Sequence, residues 1–158
     1  MDSGRVAGLT AEIKAQMRLI ERVAERLQQR VSAGLDTPGQ LESVAYQIHN
    51  IYCAAEDLLK LVAHAFENQI GAGGEWYRTL LLRLSQPVKG IRPTLISEET
   101  FTLMNAMRRF RHFVRHAYGA EIEATQLQVN LRLAQRLPQL LKQDTEVFLN
   151  TLSSDLPR

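Results

Sequence analysis

Four arginines, two histidines and one tyrosine crowd into the eleven residues from Arg108 to Tyr118, RRFRHFVRHAY. Arginine holds a phosphate through paired hydrogen bonds and keeps its charge throughout. Histidine gives and takes protons near neutrality. The stretch therefore carries side-chain types suited to phosphate chemistry, and no acidic residue lies between Glu99 and Glu121 to oppose them. At about 100° per residue on an ideal helix, Leu103, Ala106, Met107, Phe110, Phe113, Val114 and Ala117 fall within an apolar arc of roughly 120°. Arg108, Arg109, Arg111, His112, Arg115, His116 and Tyr118 occupy the opposite half, together with Asn105. Such a face is either a solvated basic surface or a site for an anion.

The order of these residues carries more than their number. Arg111 is followed by a polar residue, His112, then after four intervening residues by His116, and two further on by Tyr118. This R-[polar]-x3-H-x-Y string resembles the signature of the HEPN superfamily, and specifically of the HepT-like toxins of bacterial toxin–antitoxin pairs. The resemblance covers most of the chain, through the helix order and the late position of the motif. It implies a metal-independent endoribonuclease that needs no cofactor, with RNA as substrate. Arg111 and His116 become the catalytic pair, and His112 the polar residue after the arginine. Tyr118 takes the position that a cognate minimal nucleotidyltransferase antitoxin adenylylates. Asparagine or aspartate is the commoner occupant at position 112, and a histidine there can titrate in its own right. Arg108, Arg109 and Arg115 match no fixed family position and are read as RNA phosphate contacts on general grounds.

Five residues on one helix separate Arg111 and His116 by roughly 140° around the axis and about 7.5 Å along it. Either the helix end distorts to unite them, or two copies of the motif face each other across a two-fold axis. HEPN proteins take the second route, so the resemblance implies a homodimer with a shared cleft. Two other readings compete. One is a HEPN module that binds nucleic acid or a nucleotidyltransferase without cleaving; the other is an unrelated helical bundle with a basic surface. A metal site on His112 and His116, one turn apart, lacks a third ligand.

The elements that must position the motif read as an all-α, antiparallel bundle of about five helices in a single domain. The length of 158 residues suits one domain, and 45% hydrophobic with 23% charged residues describes an ordinary globule. A net charge of +2 gives no global attraction to nucleic acid, so the local asymmetry matters more. One cysteine, Cys53, excludes an internal disulfide, suits a reducing cytoplasm and sits where a core residue is expected. No apolar run approaches the ~20 residues of a membrane span, and the N-terminus lacks the apolar stretch of a secretory signal.

Residues 1–9 are small and Gly-punctuated, which predicts a loose segment; Thr10 then opens a helix that runs to Gly34. Thr37-Pro38-Gly39-Gln40 is a helix start with a threonine cap, proline in first position and glutamine three residues on. The stripe Leu41, Ala45, Ile48, Tyr52, Ala55, Leu59, Val62 and Phe66 extends that helix toward Gly71. His49 and His64 lie off the stripe and read as surface histidines. Glu56 and Asp57 are candidate partners for the arginines, though a solvated carboxylate is the plainer expectation. After the break at Gly71–Gly74 a short helix covers Glu75 to Leu84, with Trp76 as a packing anchor. The irregular segment Ser85 to Ile96, tinted by Lys89 and Arg92, has the length of a substrate-facing lid or partner contact. Ser97 caps the helix that carries the motif, and Gly119 ends it. A last helix spans Ala124 to Leu152, where Pro138 should kink or divide it, before a polar tail over 153–158.

Overall fold

The computed structural model describes residues 1–66, 76–116 and 122–156, with the side chains of 76–78 and 115–116 left aside. Five helices follow one another: α1 Ser3–Ser32, α2 Pro38–Phe66, α3 Trp76–Leu84, α4 Glu98–His116 and α5 Ala124–Ser154. No strand occurs among the described residues, so the all-α bundle expected from the periodicity is the fold observed. Among them, no helix is long and apolar enough to cross a membrane.

The first helix begins earlier than the glycines suggest. Asp2 accepts the Arg5 N–H at 2.8 Å, satisfying one of the otherwise open donors of the first turn. Val6 and Leu9 then extend the buried stripe that continues through Ile13, Met17, Ile20 and Leu27. The expected loose segment over 1–9 is therefore helical from Ser3, because its two apolar residues fall on the buried stripe. Gly34 ends the run at φ 117°, and an added Cβ there would meet the Gln40 side chain at 3.0 Å. Gln40 uses that closeness. Its Oε1 accepts the Thr37 N–H at 3.1 Å, while Thr37 Oγ1 accepts the Gln40 N–H at 3.2 Å. This reciprocal pair is the capping box read from the sequence.

The chain between α3 and α4 is held shut from inside. Arg92 is only 4% exposed and donates to the backbone oxygens of Gln86 and Arg83, each at 2.9 Å. Leu95 and Ile96 donate their N–H groups to Leu84 O. With Lys89, Arg92 lines a cavity of about 420 Å³ whose other walls include Met1, Val6, Leu152 and Asp155. These bonds tie the segment to itself and to the end of α3, which makes it an ordered connector.

α4 is seated by α5. Asp144 accepts from the Ser97 N–H at 3.0 Å and from the hydroxyls of Ser97 and Thr100. Ser97 Oγ in turn accepts the Thr100 N–H at 3.2 Å, the cap expected at that serine. Further along, Arg136 pairs with Glu99. The start of α4 thus meets the second half of α5, and the two helices run antiparallel. Helix α5 continues through Pro138 undivided, with Leu137, Leu140 and Leu141 buried around the proline. At the far end, Pro38, Leu41 and Glu42 share a small cavity with Ile122, which precedes α5. The start of α2 therefore lies by the start of α5, while Phe66 at the end of α2 meets Phe148, one turn past the Asp144 that seats the start of α4, so α2 and α4 are antiparallel as well. The core is filled by the inner faces of all five helices, from Ile13 and Ile20 through Ile51, Leu58 and Leu84 to Met104 and Phe148.

Candidate active site

Leu103, Met104, Met107 and Phe110 are buried and fix the rotation of α4, which turns its basic half to the edge and outside of the bundle. Ala106, from the predicted apolar arc, stays exposed at the border of that face. Arg109 and His112 are exposed, and Arg108 is half-buried with its Nε donating to Asn105 Oδ1 at 3.3 Å. Arg115 and His116 lie in the last turn of α4. Tyr118 falls outside the described residues.

Arg111 differs from the other arginines. Its side chain is 13% exposed, and its Nε stands 3.3 Å from Oε1 of Glu56, whose side chain is 3% exposed. The carboxylate expected to be solvated is thus a buried partner of the motif arginine. Asp57 next to it is exposed and pairs with Lys60 at 3.7 Å. The sequence did hold a signal for the difference. Glu56 follows Tyr52 by one turn and precedes Leu59 by three residues, so it lies on the buried stripe while Asp57 lies off it.

Burial controls the chemistry of this pair. Removing the Glu56 carboxylate from water raises its pKa from 4.5 to about 7; Arg111, then Lys60, pulls it down without cancelling the cost of burial. One Glu56 oxygen, Oε2, is buried with no hydrogen-bond partner among the described residues, which is the physical source of that cost. Burial thus holds the Glu56 proton well above the usual carboxylate range, against the pull of Arg111.

Around them α2 supplies further polar groups. His49 is half-buried, not a surface residue as its position off the stripe suggested, and its Nε2 lies 3.5 Å from Cys53 Sγ. Burial pushes the Cys53 thiol up, while the neighbouring Arg111 draws it down. A thiol so raised is a poor nucleophile, in keeping with the packing role expected for it. Burial also raises the Tyr52 hydroxyl, again with Glu56 and Arg111 as the nearest charges. His64, further along α2, is exposed as expected. No group of three or more metal-ligating side chains occurs among the described residues.

The groove between α2 and α4 thus joins His49, Cys53 and Glu56 to Arg111, with Arg108 beside it. It can hold an anion on arginine, place a buried carboxyl behind that arginine, and offer a histidine proton from α2. Nothing among curated proteins or solved structures matches the chain. A family described as HepT-like protein matches residues 43–152, a span that contains α2 from its second turn, α3, the whole motif and nearly all of α5. On that match, the chain belongs to the HepT-like family of the HEPN superfamily.

Proposed function

We propose that this protein is a metal-independent endoribonuclease toxin, acting as a homodimer whose two motifs share one cleft. The observation that supports it best is Arg111. It is the arginine of the family string, and among Arg108, Arg109 and Arg111 it is the one paired with a buried carboxylate, Glu56. A side chain held in this way is preorganised, as a catalytic cation must be.

The reaction follows from the residue types. A histidine takes the proton from a ribose 2′-hydroxyl, and the 2′-oxygen attacks the adjacent phosphorus. The bond from phosphorus to the 5′-oxygen breaks, a second proton carrier protonates that oxygen, and a 2′,3′-cyclic phosphate remains. Arg111 holds the crowded phosphate, and His116 of either copy moves the protons. Arg108, Arg109 and Arg115 bind neighbouring phosphates, and His112 supports the site. Tyr118 receives AMP from a cognate minimal nucleotidyltransferase, which silences the cleft in the cytoplasm.

A second reading, a module that binds RNA or the nucleotidyltransferase without cutting, draws on the depth of Arg111. A side chain 13% exposed presents only a narrow window to a phosphate.

One assay separates them. The purified protein is incubated with labelled RNA in excess EDTA, beside RNA carrying a single 2′-deoxy sugar at the cut. Cleavage should survive EDTA, yield cyclic phosphate ends and spare the deoxy substrate. Arg111→Ala and His116→Ala should each lower the rate by about 100-fold or more, with helical circular dichroism retained. Full activity in His116→Ala, or a strict need for magnesium, overturns the assignment. Tight RNA binding without any cleavage establishes the second reading.

A further inference from the structure

Tyr46 is the one exposed aromatic among the residues whose side chains are described, with 60% of its surface accessible. The core gives no reason for a ring there: Val44, Ala45 and Ile48 face inward around it. Its position on α2 is more informative. Tyr46 precedes Cys53 by seven residues, which places the two within about 20° around the helix and about 10 Å apart along it. Cys53 adjoins Arg111. Tyr46 therefore stands on the rim of the Arg111 groove, and the antiparallel course of α2 and α4 puts it toward the motif's C-terminal end.

The surface between them suits a polyanion. From Ser43 to Ala55 the sequence has no acidic residue, and α4 has none between Glu99 and its end at His116. Glu42, one turn before Tyr46, marks where the neutral strip stops, and the exposed Glu123, next to the Ile122 that shares a cavity with Leu41 and Glu42, belongs to the same limit. Asn50, one turn after Tyr46 and half-buried, offers both a donor and an acceptor beside the ring.

We infer that Tyr46 and Asn50 form a nucleobase subsite for single-stranded RNA, one or two nucleotides from the phosphate held at Arg111. The inference rests on the reading of the chain as an RNA-cleaving protein. The ring stacks on an unpaired base, and the Asn50 amide meets the edge of that base or its neighbour. Stacking is tolerant of base identity, so the subsite sets the register of the strand more than its sequence.

The test uses full-length His116→Ala protein, which leaves the RNA intact. A fluorescent single-stranded RNA is titrated against it by anisotropy, with and without a second change at Tyr46. Tyr46→Ala should weaken binding by about tenfold, Tyr46→Phe should hold it within about twofold, and the salt dependence should not change. A 2-aminopurine moved along the strand should show one position whose quenching vanishes with Tyr46→Ala. Equal RNA affinity in the Tyr46→Ala and Tyr46 proteins overturns the subsite. So does a shift in oligomer mass without a change in RNA affinity, since the ring then packs on a second copy. If the Tyr46 protein itself binds no RNA, it is the ribonuclease reading that fails, and the subsite falls with it.

Discussion

Replacing Glu56 by glutamine puts the central pair of the groove to a quantitative test. The variant keeps the shape of the side chain and removes its charge. In the native fold burial lifts the carboxyl from 4.5 to about 7. The folded state thus holds its proton more tightly than the unfolded chain does. The stability this gives is full below about pH 4.5 and is lost as pH rises through about 7. A shift of that size corresponds to about 3 kcal/mol between the two limits. Urea denaturation at about pH 5 and about pH 8, at fixed protein concentration, measures it. The wild type should lose about 2.5 kcal/mol more than Glu56→Gln over that interval, which starts just above the unfolded value, since other titrating groups are common to both proteins. At about pH 8 the glutamine variant should be the more stable of the two, although it has lost an ion pair. The opposite result refutes the reasoning. If Glu56→Gln is the less stable protein at high pH, Arg111 more than offsets the burial and the carboxyl titrates low.

Two other outcomes can be stated from the same structure. Asp144→Ala removes the acceptor shared by Ser97 and Thr100 at the start of α4. It should cost about 2 kcal/mol, read as a melting point lower by roughly 5 °C, and an unchanged melting point would mean that α4 does not need this seat. Coexpression with an active nucleotidyltransferase partner should add AMP at Tyr118, located by peptide mass spectrometry, and silence the toxin. If Tyr118→Phe protein is silenced as fully as wild type, control runs through binding alone.

Much of the fold was legible because long helices repeat their apolar residues often enough to be unmistakable. The stripes on α2 and α5 and the caps at Thr37 and Ser97 are read directly from residue order. What misled was local composition. Gly4 and Gly8 made the N-terminus look loose, while Val6 and Leu9 sat on the stripe that binds it to the bundle. Arg92 looked like a charge for a ligand, yet it donates to backbone oxygens of its own connector and of α3. The site was half legible. The basic face of α4 announced Arg111, but what stands behind Arg111 depends on how α2 is rotated against it. That rotation brought Glu56 and His49 inward, and the family string contains neither.

Helix α1 lies wholly before the matched residues 43–152, yet Ile13, Ile20 and Leu27 from it are almost completely buried. It makes its most extensive packing with α2, and Gln16 donates to the Ala54 carbonyl at 2.9 Å. A chain trimmed to the matched span would leave the back of α2 as a bare apolar strip, directly behind the groove that holds Arg111. Such a fragment should express as aggregate, however well its motif is preserved. Recombinant work on the motif should therefore keep α1, from its cap at Asp2, together with the matched span.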